Sequence, residues 1–144
     1  MVQRSTGMNA EEILAGARTI AVVGLSRDPA KASHGVAKAL QAHGFRIIPV
    51  HPSADVLLGE KVYRSLKDIP EPIDLVDVFR PPWETPAIAE EAVVVGAKAL
   101  WLQQGIKSSA ARRIAEDAGL EYVENRCTAV VRATAGITRV PLGS

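Results

Sequence analysis

The residues of this chain best suited to chemistry lie in one loop, Leu25-Ser-Arg-Asp-Pro-Ala-Lys-Ala-Ser33, directly after the apolar stretch Thr19-Ile-Ala-Val-Val-Gly24. Ser26 offers a hydroxyl hydrogen bond, Arg27 a two-pronged guanidinium fork and Lys31 a point charge, the donor types that hold phosphate oxygens. A strand that ends in glycine and opens onto a helix N-terminus adds backbone N–H donors to the same place. The plain alternative is that Arg27 and Lys31 are solvated charges balanced by Asp28. Placement at the carboxyl end of a strand favours phosphate contact for Ser26 and Arg27 and leaves Lys31 open between the two readings.

The other reactive side chains do not assemble a second chemistry. His34, His43 and His51 with the single cysteine, Cys127, lack zinc-ligand spacing. His34 reads as a helix-start residue, His43 as a helix-end residue and His51 as part of a turn in preference to a ligand contact. Asp74 and Asp77 would point to opposite faces of one strand, which separates them as an acid/base pair. No nucleophile, base and orienting group form a recognisable set, so no catalytic residue and no metal ligand is assigned.

The elements that must position the loop follow from periodicity and punctuation. Asn9 caps a helix running to about 18, with Glu11 and Glu12 in its first turn. Strands are expected at 19–24, 45–50, 74–79, 99–103 and 120–125, and helices at 33–43, 84–95 and 108–118, the last with Ala111, Ile114, Ala115 and Ala118 on one face. The segment 54–73 carries Gly59, Pro70 and Pro72 and leaves room only for a short helix near 65–69. The tail, 128–144, reads as a strand or loop packing on the sheet edge.

Strands alternating with helices imply an α/β fold, a three-layer doubly wound parallel sheet of about five strands in a single domain over 1–144, with the helix in 1–18 packed on it. In such a fold the ligand crevice lies above the carboxyl ends of the strands, where the loops at 24–27, 50–53, 79–83 and 103–106 converge.

Composition narrows the ligand. The 144 residues are 47% hydrophobic and 23% charged, an ordinary globular balance, and no apolar run approaches the about 18 residues that span a bilayer. A net charge of +1 and 4% aromatic residues argue against nucleic acid as a partner. One cysteine excludes an internal disulfide framework, and Met-Val-Gln-Arg at the start is no leader, so the cytoplasm is the expected address. The first loop lacks Gly-x-Gly-x-x-Gly, the next glycine after Gly24 being Gly35, and the second strand ends in Val50-His51-Pro52 without a ribose-binding acid. Nicotinamide binding therefore ranks below a different phosphorylated ligand.

Six segments, Ala21-Val-Val-Gly-Leu-Ser26, Ile48-Pro-Val-His-Pro52, Val62-Tyr-Arg-Ser-Leu-Lys-Asp-Ile-Pro70, Asp74-Leu-Val-Asp-Val-Phe-Arg-Pro81, Gly96-Ala-Lys-Ala-Leu-Trp-Leu-Gln-Gln-Gly-Ile106 and Asn125-Arg-Cys127, occur in an order and spacing that resemble a known family. It is that of the stand-alone coenzyme A-binding domains, related to the N-terminal domain of the succinyl-CoA synthetase α subunit. The resemblance implies a Rossmann-like domain that binds coenzyme A or an acyl-CoA. Gly24, Ser26 and Arg27 would meet phosphate, with Lys31 available. Val50 and Pro52 would flank the nucleotide, and Phe79, Arg80 and Pro81 would form another wall. The synthetase's second α-subunit domain and its phosphohistidine context have no counterpart here, which points to a non-catalytic binding module. The rival readings are a nucleotide- or NAD(P)-dependent enzyme using the same crevice and a protein-interaction domain with a vestigial pocket. For Cys127 burial as a small hydrophobe is preferred; the sharper reading is a mixed disulfide with the coenzyme A thiol, assisted by Arg126. Trp101 is expected in the core and Trp83 at the pocket rim.

Overall fold

The computed structural model describes residues 7–139; the Met-Val-Gln-Arg start and the end of the tail, 140–144, lie outside the described residues. Five strands, β1 (Thr19–Val23), β2 (Arg46–Val50), β5 (Leu75–Val78), β6 (Ala99–Leu102) and β7 (Glu121–Val123), form one sheet in the order β2-β1-β5-β6-β7, every pair parallel. Because successive side chains point to opposite faces, each apolar run feeds two cores. Ile20, Val22, Ile47, Leu75 and Trp101 pack on one side, and Ala21, Ile48, Val76, Val78, Leu100 and Leu102 on the other.

Helices cover both sides. The first core is closed by α1 (Ala10–Ala15) through Ile13 and Leu14, α2 (Ala32–Ala42) through Ala37 and Leu40, and α5 (Thr128–Ala135) through Val131. The second is closed by α3 (Thr85–Val94) through Ala89 and Ala92 and α4 (Ser109–Asp117) through Ala111 and Ala115. The three-layer doubly wound architecture is thus the one expected. Local chemistry sets the helix starts: Asn9 and Glu12 form a reciprocal capping box at α1, and the Ser108 hydroxyl accepts from the Ala111 N–H at α4. Pro49 is accommodated because β2 is an edge strand.

Three expectations need correction. The helix α1 stops at Ala15, three residues short of 18, where Gly16 caps it. The 54–73 segment contains a hairpin, β3 (Val56–Leu57) with β4 (Glu60–Lys61), and its short helix is one 3-10 turn, Leu66–Asp68. The first part of the tail is not a strand or loop at the sheet edge: Thr128-Ala-Val-Val-Arg-Ala-Thr-Ala135 forms α5 on the face shared with α1 and α2. Its β-branched content gives weak helix propensity, and burial of Thr128 and Val131 overrides it.

Candidate ligand-binding site

The sheet order reverses at β1: the chain goes out to β2 and returns past β1 to β5, so the loops after β1 and β5 leave in opposite senses. Gly24 makes this crossing possible. It sits at φ +92°, in the left-handed region, and a Cβ there would stand 2.5 Å from the Phe79 carbonyl oxygen and 2.8 Å from Arg80 Cδ. The Phe79 backbone and the Arg80 stem consequently lie directly over the end of β1. Arg80 becomes a partition between two clefts, lining both.

The loop after Gly24 is held by its own side chains. The Ser26 N–H donates to Ser33 Oγ at 2.9 Å, and the Ser26 carbonyl stands 2.9 Å from His34 Nδ1 in the first turn of α2. The Asp28 N–H donates to Ser26 Oγ at 3.0 Å and the Ala30 N–H to Asp28 Oδ1 at 2.9 Å. Arg27 lies exposed and reaches across to the next strand end, donating to Ser53 Oγ at 2.8 Å. Lys31 is the N-cap position of α2, exposed, and among the residues lining neither cleft.

The larger cleft, about 530 Å³, lies on the α3 side of the partition. Gly24 and Ser26 come to it from β1, Val50, His51 and Pro52 from β2, and Arg64 from the loop after β4. His51 Nδ1 accepts from the Ser53 and Ala54 N–H groups at 3.0 and 2.9 Å, so the residue makes the turn assigned to it and also faces the cleft. Burial, with Arg27 and Arg64 nearby, holds its imidazole below the usual 6.5, which keeps Nδ1 an acceptor. Arg64 ties the same turn together by donating to the Ala54 carbonyl at 2.6 Å and to Asp55 Oδ1 at 3.0 Å. Two carboxylates temper this cationic surface: Glu84 takes a bidentate pair from Arg80, at 2.9 and 2.8 Å, and Glu91 accepts from the Leu66 N–H at 3.0 Å.

The smaller cleft, about 350 Å³, opens on the α2 side and is mainly apolar. Phe79, Arg80 and Pro81 wall it against Ala32 and Val36 of α2, and Gln103, Gln104, Ile106 and Cys127 complete it. A closed polar cluster joins Gln103 to the core. Gln103 Nε2 donates to Asp77 Oδ1 at 2.5 Å and to Thr128 Oγ1 at 2.8 Å, and Thr128 Oγ1 donates to Asp77 Oδ2 at 3.0 Å. Asp77 is wholly buried, and burial pushes its carboxyl from the usual 3.8 up to about 7, against the two donors that favour its anion.

The structure therefore brings Gly24, Ser26, Val50, Pro52 and Arg80 together at the first cleft and Phe79, Arg80 and Pro81 at the second. Arg27 reaches the first cleft's neighbourhood only through Ser53, and Lys31 stands apart. Trp83 is 79% exposed and is not among the lining residues, whereas Trp101 is fully buried and donates its indole N–H to the Arg126 carbonyl at 2.8 Å. Sequence reasoning missed Arg64, Glu84 and Glu91, which approach from outside the four strand-end loops and carry no periodic signal. It also missed the Asp77–Gln103–Thr128 cluster, whose members are 25 to 51 residues apart. An aspartate in an otherwise apolar strand was the available signal. The described residues contain no cluster of three or more histidine, cysteine or acidic groups able to hold a metal.

A doubly wound parallel sheet whose strand-end loops enclose a divided crevice defines a Rossmann-like ligand-binding domain. The chain belongs to the CoA binding domain family, which it matches over residues 18–133. It is 40% identical over 132 residues to the uncharacterized protein YneT of Bacillus subtilis, covering 92% of this chain and 98% of that one. A hypothetical protein from Pyrococcus horikoshii OT3 has the same fold with a TM-score of 0.85 and 36% identity, over 90% of this chain and 93% of that one. The acetate–CoA ligase (ADP-forming) of Methanocaldococcus jannaschii is 30% identical over 81 residues, which are 56% of this chain and 12% of that protein. The homology is thus to one domain of a much larger enzyme. Among the described residues no helix is long and apolar enough to cross a membrane.

Proposed function

We propose that the protein binds coenzyme A or an acyl-CoA across the two clefts, as a binding module without chemistry of its own. The observation that supports this reading most directly is the partition at Arg80. A roomy, partly cationic cleft and a narrower apolar one meet there over the switch point, matching a ligand with an anionic nucleotide end and a slender arm. In this reading Gly24, Ser26 and Arg27 receive the phosphate groups, with Lys31 adding charge at longer range. Val50 and Pro52 flank the nucleotide, and Phe79, Arg80 and Pro81 guide the arm from one cleft to the other. The single cysteine keeps the cytoplasm as the address.

Thermal denaturation with coenzyme A, NAD and NADP, followed by calorimetric titration, tests the proposal. Coenzyme A is expected to raise the melting temperature in a concentration-dependent manner and to bind one per chain, with no response to the nicotinamide cofactors. Stabilisation by NAD or NADP in its place would replace this reading with a nucleotide-dependent enzyme.

A further inference from the structure

Cys127 is half-buried, not sealed in the core as a small hydrophobe. It is the N-cap residue of α5, makes no side-chain hydrogen bond to that helix, and lines the smaller cleft. Arg126, expected to assist it, is turned away: its guanidinium donates to Glu11 Oε2 of α1 at 3.1 Å. The thiol is thus a free group on the wall of an apolar cleft.

A second observation in the same cleft points independently to a ligand. Thr128 Oγ1 spends its one hydrogen on Asp77 Oδ2, and Gln103 Nε2 spends both of its hydrogens inward, on Asp77 Oδ1 and Thr128 Oγ1. Gln103 Oε1 then has no donor among the described residues, in a side chain whose residue is only 3% exposed and lines the cleft. A buried acceptor without a partner is costly, and an N–H brought in by a ligand relieves it. The pantetheine arm of coenzyme A carries two amide N–H groups and ends in sulfur. A cleft holding an orphan acceptor and a free thiol suits that arm at both points.

We infer that Cys127 is a thiol–disulfide exchange site that captures coenzyme A, delivered as its disulfide, in the smaller cleft. The inference rests on the coenzyme A-binding reading above. In the exchange the Cys127 sulfur, as thiolate, attacks the cofactor-side sulfur of the disulfide. A new S–S bond joins Cys127 to coenzyme A as the old one breaks, and the departing thiolate takes up the proton that Cys127 gave up. The incoming disulfide supplies the oxidising equivalent, so no other oxidant enters. Binding of the nucleotide end holds that disulfide beside the thiol and raises its effective concentration over that of a disulfide with no nucleotide.

The test uses the full chain, reduced and then freed of reductant, with intact-mass spectrometry following its reaction with coenzyme A disulfide and, separately, glutathione disulfide. One coenzyme A per chain is expected, reversed by dithiothreitol, absent in Cys127→Ser, and formed about tenfold or more faster than the glutathione adduct. Saturation with desulfo-coenzyme A, which cannot exchange, should slow it. Calorimetry with desulfo-coenzyme A on the wild type and on Cys127→Ser measures reversible binding by itself. Reversible binding without an adduct overturns the inference and leaves the binding function standing, as does an adduct that forms equally fast with glutathione disulfide and ignores desulfo-coenzyme A. Absence of both binding and adduct removes the function and the inference together.

Discussion

Gly24 and Phe79 approach each other so closely that a single methyl group at position 24 would lie 2.5 Å from the Phe79 carbonyl oxygen. The two residues directly follow β1 and β5, neighbouring strands whose connections part at this point. Their contact lets the Arg80 stem cross β1 and divide the crevice.

Gly24→Ala is expected to destabilise the fold by about 2–5 kcal/mol, the sum of a side chain forced to positive φ and an overlap with backbone. Urea unfolding measures it. Because the overlap falls on the partition between the clefts, the variant should also lose coenzyme A affinity under conditions where it remains folded.

Asp77 makes stability depend on pH in an unusual direction. Its carboxyl is raised by burial from 3.8 in the unfolded chain to about 7 in the fold, so between these values the folded state holds a proton that the unfolded state has released. Its contribution is fully present below about 4 and is lost as pH rises through about 7, with a slope of at most about 1.4 kcal/mol per pH unit. His51 runs the other way: its imidazole is held below 6.5, so its contribution is present above 6.5 and lost as pH falls through the folded value. Urea unfolding across this range for wild type and Asp77→Asn separates the two, since the amide should abolish the Asp77 slope and leave that of His51.

Arg27 is exposed and, among the described residues, its side chain is hydrogen-bonded to Ser53, so Arg27→Ala should leave the fold intact. If its guanidinium receives a phosphate, the variant loses about 1.5–3 kcal/mol of coenzyme A binding, roughly ten- to a hundredfold in affinity. Calorimetry that finds affinity unchanged takes Arg27 out of the site.

Glu84 occupies the Arg80 fork with both carboxylate oxygens, on a half-exposed pair. A phosphate approaching Arg80 meets that negative charge. Glu84→Gln is therefore expected to tighten coenzyme A binding about three- to tenfold at low ionic strength, with the gain shrinking as salt is added. Titrations at two salt concentrations check both parts.

The alternation of apolar strands with glycine-terminated helices was enough to specify the layered sheet and to bring the loops after Gly24, Val50, Val78 and Leu102 to one edge, because period-2 and period-3.6 patterns are local properties of the chain. Asn9 announced its helix for the same reason: a cap bonds within three residues of itself. What required the tertiary structure was everything made by distant partners. Whether 128–135 coiled into a helix depended on a face offered by α1 and α2, since its own residues leave the choice to packing. The pairing of Arg80 with Glu84, the turn of Arg126 toward Glu11 and the burial of Asp77 under Gln103 and Thr128 depend on where backbones lie after folding. Residue types and spacing alone determine the five strands of the sheet, the helices α1 to α4 and which loops share an edge. The charge balance of the crevice and the exposure of Cys127 come from the close approach of segments that the chain order keeps far apart.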